Sequence, residues 1–366
     1  MPSRPQWQAQ AETPISSLRR ELDLRTDAIT EPTEAMWNAM RTADLGWAAK
    51  QEDGNVTRLE ATAAEIVGTE DSLFLPTATM ANLLALMGHT SPGDQIIAEA
   101  ASHVLWSEEW AVASLCGLFV RTVEGANGSI DPARVQEAMT EWRLGHQPHT
   151  ALLCLENTHT ASGGRVMDPE QINALCEAAR DRGAAVHLDG ARLFNAAVAI
   201  DRAPADFCRE VDSVTISLNK GLSAPYGALL CGSSDLIGKA RANSRRLGAG
   251  SVHQAGILAA AGQVALETMV DRLRDDHTRA AQLSRLLADI EGLEIDRLGI
   301  QTNIVLVRID TRRGSARDLC QYLQKHGVGA LESTPQEVRY VTHRHVTEPS
   351  LGDVAEKTHA FIKSQL

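Results

Sequence analysis

Between residues 55 and 250 the chain alternates between two hydrophobic periods. Apolar residues at helical spacing predict helices over Asn55–Val67 and Thr79–Gly88, the second opening after the break at Pro76. Short β-branched or apolar runs predict strands at Gln95–Ala98, Leu118–Val123, Ala151–Leu155, Ala185–Leu188, Ser213–Ser217 and Ala228–Cys231. Helical patterning over Ser107–Cys116, Pro132–Trp142, Pro169–Arg182 and Ser234–Arg245 falls between them. Alternation of this kind predicts the α/β class, with a sheet that is parallel at its centre and covered on both faces. Ligands of such sheets gather at the carboxyl ends of the strands.

After Gly250 the pattern changes. His253–Leu287 reads as a long Ala/Leu-rich helical stretch with a break near Asp275. A strand (Ile304–Arg308), a helix (Ser315–Lys325), a strand (Glu337–Thr342) and a final helix (Val354–Leu366) follow, predicting a smaller α+β domain. The expected organisation is therefore an N-terminal arm (1–30), a large domain (31–252) and a small C-terminal domain (253–366).

Composition narrows the partners. A formal net charge of -12 argues against nucleic acid or an anionic membrane as the main partner. Six cysteines without C-x-x-C spacing, several inside apolar runs, read as buried free thiols in a reducing compartment. The polar start Met1–Arg20, and the lack of any run near the ~20 apolar residues that cross a bilayer, lead us to expect a cytoplasmic protein.

Candidate chemistry centres on two segments one βα unit apart, His187-Leu188-Asp189-Gly190-Ala191-Arg192 and Ser217-Leu218-Asn219-Lys220-Gly221. An acid at one strand end and a lysine at the next is what holding pyridoxal phosphate (PLP) requires. The lysine forms the Schiff base, and the acid keeps the pyridine nitrogen protonated so that the ring can accept electrons. Against this stand plainer readings: a surface Lys220, an Asp189 that caps the next helix, and a His187 packed inward on the sheet. The turn Pro76–Asn82 opens an apolar helix, so it is either a phosphate cradle with Thr77 or Thr79 as donors or an ordinary cap. His103 and His159 each follow a predicted strand. Arg192 and Arg339 are candidates for gripping a carboxylate through paired hydrogen bonds, although each taken singly reads first as a surface charge. His187 with His343 and His345 lacks ligand spacing, so no metal is expected. Gly232–Lys239 and Gly248–Gly250 miss the residues that nucleotide loops need.

Together these segments resemble the low-specificity threonine aldolase family, a branch of the fold-type I PLP enzymes that includes β-eliminating lyases. The specific pieces are His-x-Asp-Gly-Ala-Arg-Leu at 187–193 and Lys-Gly-Leu-x-Ala-Pro at 220–225; Leu24-Arg25-Thr26-Asp27, Ser102-His103, Leu155–His159 and Val338–His343 add to them. The resemblance implies a large domain with a mostly parallel sheet and PLP bonded to Lys220. It puts Asp189 on the pyridine nitrogen, His103 stacked on the ring, Ala78, Thr79 and Ser217 near the phosphate, and Arg192 beside the cofactor. Thr26, Arg192 and Arg339 would surround the substrate carboxylate, and His159 and His103 would be nearest its β-hydroxyl. The implied reaction cleaves a β-hydroxy-α-amino acid, such as L-threonine or L-allo-threonine, to glycine and an aldehyde. The alternative is a related PLP lyase or racemase acting on an unusual β-substituted amino acid. The resemblance also implies a homodimer or homotetramer with shared active sites. Departures cluster near phosphate and substrate: Ala78 stands for the usual glycine, Thr26 for serine, Tyr226 for valine and His253 for arginine.

Overall fold

The computed structural model describes residues 22–108, 110–139, 148–249, 252–295 and 299–365. Most of the expected N-terminal arm, the end of the helix drawn to Trp142, and Gly250–Ser251 lie outside the described residues. A two-residue strand, β1 (Leu22–Asp23), comes first. The large sheet then takes β2 (Asp71–Leu75), β3 (Gln95–Glu99), β4 (Phe119–Val123), β5 (Thr150–Glu156), β6 (Ala185–Gly190), β7 (Ser213–Ser217) and β8 (Ala228–Gly232). Its order is β2-β8-β7-β6-β5-β3-β4. β4, β3, β5, β6 and β7 run parallel, while β8 is antiparallel to both β7 and β2. The fold is α/β, as the alternating pattern predicts.

Every residue of β3, β5, β7 and β8 is buried, which is why these strands read as continuous apolar runs. The chain leaves β3 for the edge strand β4 and returns to β5 on the opposite side. That reversal opens a crevice at the carboxyl ends of the strands, where Glu99, Glu156, Asp189 and Ser217 stand.

Local signals explain the helices around this sheet. Asp53 caps Gly54–Val67 by accepting from the Asn55 and Val56 amides, and Gly68 ends it at φ 75°. Asp168 and Gln171 form a capping box on Pro169–Arg180, with proline in its first turn. The helix drawn over Ser107–Cys116 is instead two single turns, His103–Trp106 and Ala111–Ser114, because Trp110 between them sits at φ 60°. The stretch 253–287 divides into Gly256–Thr268 and Leu273–Ala288, broken at 269–272, ahead of the break drawn near Asp275.

A second sheet pairs β9 (Leu293–Ile295), β10 (Ile304–Ile309), β12 (Leu331–Thr334) and β13 (Glu337–Val341) antiparallel, in the order β12-β13-β10-β9. β1 pairs in parallel with β11 (Val328–Gly329). Leu22 and Leu24 therefore join the core of this smaller unit, with Val305, Leu319 and Tyr340. The helix Gly256–Thr268 shares the core of the large sheet, which extends to Leu273, whereas Ala280 belongs to the smaller core. The two cores meet along one helix, Leu273–Ala288. Among the described residues no helix is long and apolar enough to cross a membrane.

Candidate active site

Asp189 closes β6 beside Glu156 of β5 and Thr215 of β7. It is 5% exposed, and each carboxylate oxygen accepts one hydrogen bond: Oδ1 from the Ala191 amide at 3.0 Å and Oδ2 from Asn82 Nδ2 at 2.9 Å. The helix Leu193–Ile200 begins at Arg192 without a side-chain cap, so Asp189 is not its cap. A Cβ on Gly190 would lie 2.7 Å from the Thr215 carbonyl oxygen, so only glycine lets the chain turn here against β7.

Lys220 follows β7 in a tight turn closed by the Ser223 amide, which donates to the Lys220 carbonyl, as does the Thr30 hydroxyl of the N-terminal segment. A Cβ on Gly221 would come within 2.6 Å of Leu273, which ties this turn to the long helix. Partly buried, the Lys220 amine makes no hydrogen bond or ion pair among the described residues. Burial and the nearby Arg192 lower its pKa, against the pull of Asp189, Asp27 and Glu156. An unpartnered amine of lowered pKa is a ready nucleophile toward a carbonyl.

His103 opens the first turn after β3. Its amide donates to Glu156 Oε2 (2.8 Å), and its Nδ1 lies 3.2 Å from Glu108 Oε1. Burial pulls its pKa down, but the Glu108 hydrogen bond and the charges of Asp189 and Glu156 outweigh that and leave it raised. With Nδ1 engaged by Glu108, Nε2 makes no hydrogen bond among the described residues. His103, Glu108 and Asp189 offer atoms all within 4.8 Å of one another. Asn82 already donates to both carboxylates, at 2.7 Å to Glu108 and 2.9 Å to Asp189. His187 contacts Asn82 and Ser213, whereas His343 bonds the Asp23 carbonyl, so the structure does not bring those two histidines together.

His159 is placed differently from His103. It is 2% exposed, with Nε2 3.1 Å from Glu99 Oε2 and 3.7 Å from Glu156 Oε2, and Nδ1 2.9 Å from Ser162 Oγ. Nδ1 thus has a partner, while the buried Nε2 lies near two carboxylates without a hydrogen bond to either.

The carboxylate-binding candidates gather around Asp27. Arg192 donates from Nε and Nη2 to its two oxygens at 2.9 and 2.7 Å, and from Nη1 to Thr160 Oγ1 at 3.2 Å. Asn303 adds a third bond to Asp27 at 3.0 Å. Burial would raise the Asp27 pKa, but the Arg192 guanidinium holds it well below the usual carboxylate range. Arg339 donates to the Arg25 carbonyl at 3.3 Å, while its buried Nε has no acceptor among the described residues. Burial and the neighbouring Arg192 lower its pKa. Thr26 Oγ1 accepts from the Ala28 amide, which leaves its hydroxyl proton free.

At the other end, Thr77 caps the helix Ala78–His89 and accepts from the Met80 amide. The Ala78 and Thr79 amides have no acceptor among the described residues, so this 12-residue helix presents an open anion site. Ser217 Oγ donates to Asn219 Oδ1 at 2.8 Å. His253 accepts from Trp47 Nε1 at 3.0 Å.

A buried acid, an amine without a partner among the described residues, a nearby imidazole and an open helix N-terminus together fit PLP. Sequence reasoning missed Asn82, Glu108, Glu99 and Asn303 as members of the site. Glu108 and Asn82 sit inside helical patterning, where nothing marks a polar residue as pointing into a crevice. Asp27 was visible in Leu24–Asp27 but carried no assigned role.

Comparison with known proteins places the chain in a family. The family model described as "Beta-eliminating lyase" matches residues 23–310. The low specificity L-threonine aldolase of Escherichia coli (strain K12) is 36% identical over 342 residues, 93% of this chain and 99% of that protein. Low-specificity L-threonine aldolase 1 of Arabidopsis thaliana is 33% identical over 332 residues, covering 90% of this chain and 92% of the relative. Among solved structures, the Leishmania major threonine aldolase superposes with a TM-score of 0.74 at 20% identity, covering 94% of this chain and 98% of that one.

Proposed function

The chain belongs to the beta-eliminating lyase family, and from that premise we propose that it is an aldolase cleaving β-hydroxy-α-amino acids of the threonine type to glycine and an aldehyde. It is a PLP-dependent lyase. The observation that carries the reading is the pairing of an unpartnered, pKa-lowered Lys220 with a buried Asp189 at adjacent strand ends.

When bound, PLP supplies the electron sink that accepts the pair left on Cα as the Cα–Cβ bond breaks. Lys220 holds the cofactor through its amine, and Asp189, kept as an acceptor by the Asn82 and Ala191 N–H groups, holds the proton on the pyridine nitrogen. The Ala78 and Thr79 amides take the phosphate at the helix N-terminus. Arg339 takes the substrate carboxylate with its unpaired Nε, beside the Thr26 hydroxyl. Arg192 stands beside them with its guanidinium oriented by Asp27, adding positive potential.

The proton of the β-hydroxyl must leave for the bond to break. We assign that role to His103, because Glu108 occupies Nδ1 and leaves Nε2 open. His159, buried with its Nδ1 on Ser162 and its Nε2 beside Glu99 and Glu156, we read instead as holding these strand-end carboxylates.

The finer placement rests on chemistry of the same kind. The described cysteines are all free thiols, five of them buried, which supports a reducing, cytoplasmic setting. Trp37, Leu45 and Trp47 are exposed, and large apolar side chains at the surface support a homodimer or homotetramer with shared sites.

Product analysis tests the function. Incubation of the PLP-loaded protein with L-threonine, L-allo-threonine and phenylserine should release glycine and the matching aldehyde. Ammonia and a 2-oxo acid in their place would overturn the aldolase reading in favour of elimination.

A further inference from the structure

A chain of buried polar side chains leads away from Asp189 to the far edge of the sheet, and its donors and acceptors are fixed link by link. Asn82 Nδ2 donates to Glu108 at 2.7 Å and to Asp189 at 2.9 Å. Both amide hydrogens are thereby used, and Oδ1 is left as an acceptor. The atom 3.1 Å from Oδ1 is His187 Nε2, which must carry its proton. His187 is 1% exposed, and burial lowers its pKa to about 3, so the ring is neutral and Nδ1 is an acceptor. Ser213 Oγ, 2.8 Å from Nδ1, donates its single hydrogen there. His89 Nε2, 2.8 Å from the same Oγ, is then the donor to it.

The direction cannot reverse at one link alone. Were His89 to accept, Ser213 would donate to it, and His187 would have to carry its proton on Nδ1. The Nε2 lone pair would then face Asn82 Oδ1, and the amide could not turn over without setting its oxygen against two carboxylates. Hydrogen bonds aligned in one sense polarise one another, so each link strengthens the last one, onto Asp189. His89 ends the helix whose other end presents the Ala78 and Thr79 amides. Partly exposed, it lines a cleft of about 430 Å3 with Arg209, Asp212 and Lys239. The cleft lies at the amino edge of the parallel strands, where β7 begins at Ser213.

We propose that His89, across the sheet from Lys220, is a positioning residue for Asp189, acting through Ser213, His187 and Asn82. The inference rests on the reading that Asp189 meets the pyridine nitrogen of PLP. Its effect should therefore depend on that nitrogen and not on PLP binding in general.

The test titrates apoprotein with PLP and, separately, with the carbocyclic analogue that has CH in place of the ring nitrogen, following absorbance. The proteins are wild type, His89→Leu, His89→Gln and Ser213→Ala. Loss of one buried link should weaken PLP roughly three- to tenfold in His89→Leu and Ser213→Ala. Affinity for the analogue should stay at the wild-type value, and His89→Gln, whose amide can donate to Ser213, should recover PLP affinity. Histidine 15N spectra should show His187 protonated at Nε2 in wild type. Wild-type PLP affinity in both disrupted variants overturns the inference, as does equal loss of PLP and analogue, which marks a packing effect. Either result leaves the proposed function standing; a wild-type protein that takes up no PLP overturns both.

Discussion

Asp27→Asn removes one charge from a buried cluster and leaves its shape intact. Asp27 is fully buried and receives two bonds from Arg192 and one from Asn303. Losing the carboxylate leaves a buried guanidinium uncompensated beside Lys220 and Arg339, both already pushed down by Arg192. Breaking a buried pair from one side costs about 3–5 kcal/mol. The amide can still accept one guanidinium bond, so the lower end is expected. For 366 residues, an unfolding entropy of about 2.1 cal/mol/K per residue gives roughly 0.8 kcal/mol/K, so Tm should fall by about 4 °C. The assay is denaturant and thermal unfolding of the apoprotein for Asp27→Asn, Arg192→Met and the double variant. The double variant, with no stranded charge, should be more stable than Asp27→Asn. The pH dependence has a definite sign. Because the folded pKa of Asp27 is depressed, the wild-type advantage is present above the unfolded value of about 3.9 and is lost as pH falls below it. A loss under about 1 kcal/mol, or a double variant no better than the single, refutes the account of this cluster.

Three further outcomes follow from the same geometry. Glu108→Gln removes the carboxylate that raises the His103 pKa, so the acid limb of the kcat/KM profile should move to lower pH, with kcat down roughly ten- to hundredfold; an unmoved limb would remove His103 from the proton-transfer role. Arg339→Leu should raise KM for L-threonine roughly tenfold or more while changing kcat less, and the reverse split would place Arg339 outside the carboxylate site. Gly221→Ala sets a Cβ 2.6 Å from Leu273, so unfolding measurements should show a loss of about 1–3 kcal/mol and PLP affinity should fall with it.

How much of this was legible in the sequence varied with the kind of signal. The strands β3, β5, β7 and β8 were plain, because burial on both faces makes each an apolar run of strand length. β2 was not, since Asp71-Ser72 opens it with two polar residues and Ser72 is held by the Glu60 carbonyl, a partner distant in sequence. The break at Trp110 was equally hidden, for an exposed tryptophan at φ 60° carries no turn signature. Asp189 and Lys220 stood out because strand ends in an α/β pattern locate the crevice. What the pattern could not supply was the partner of each group. Arg192 read as a free cation, whereas Asp27 reaches it from the N-terminal segment that β1 anchors to the smaller core. His159 read as a candidate base, and nothing in its position after a strand showed that Glu99, Glu156 and Ser162 surround its ring.

The central claim is that Lys220 is the residue that bonds PLP. Borohydride reduction of the PLP-loaded protein, followed by digestion and peptide mass mapping, tests it most directly. One phosphopyridoxyl group per chain should be found, on the peptide holding Lys220, and Lys220→Ala should retain none. A reduced cofactor on any other lysine, or none on the wild-type protein, would contradict the account.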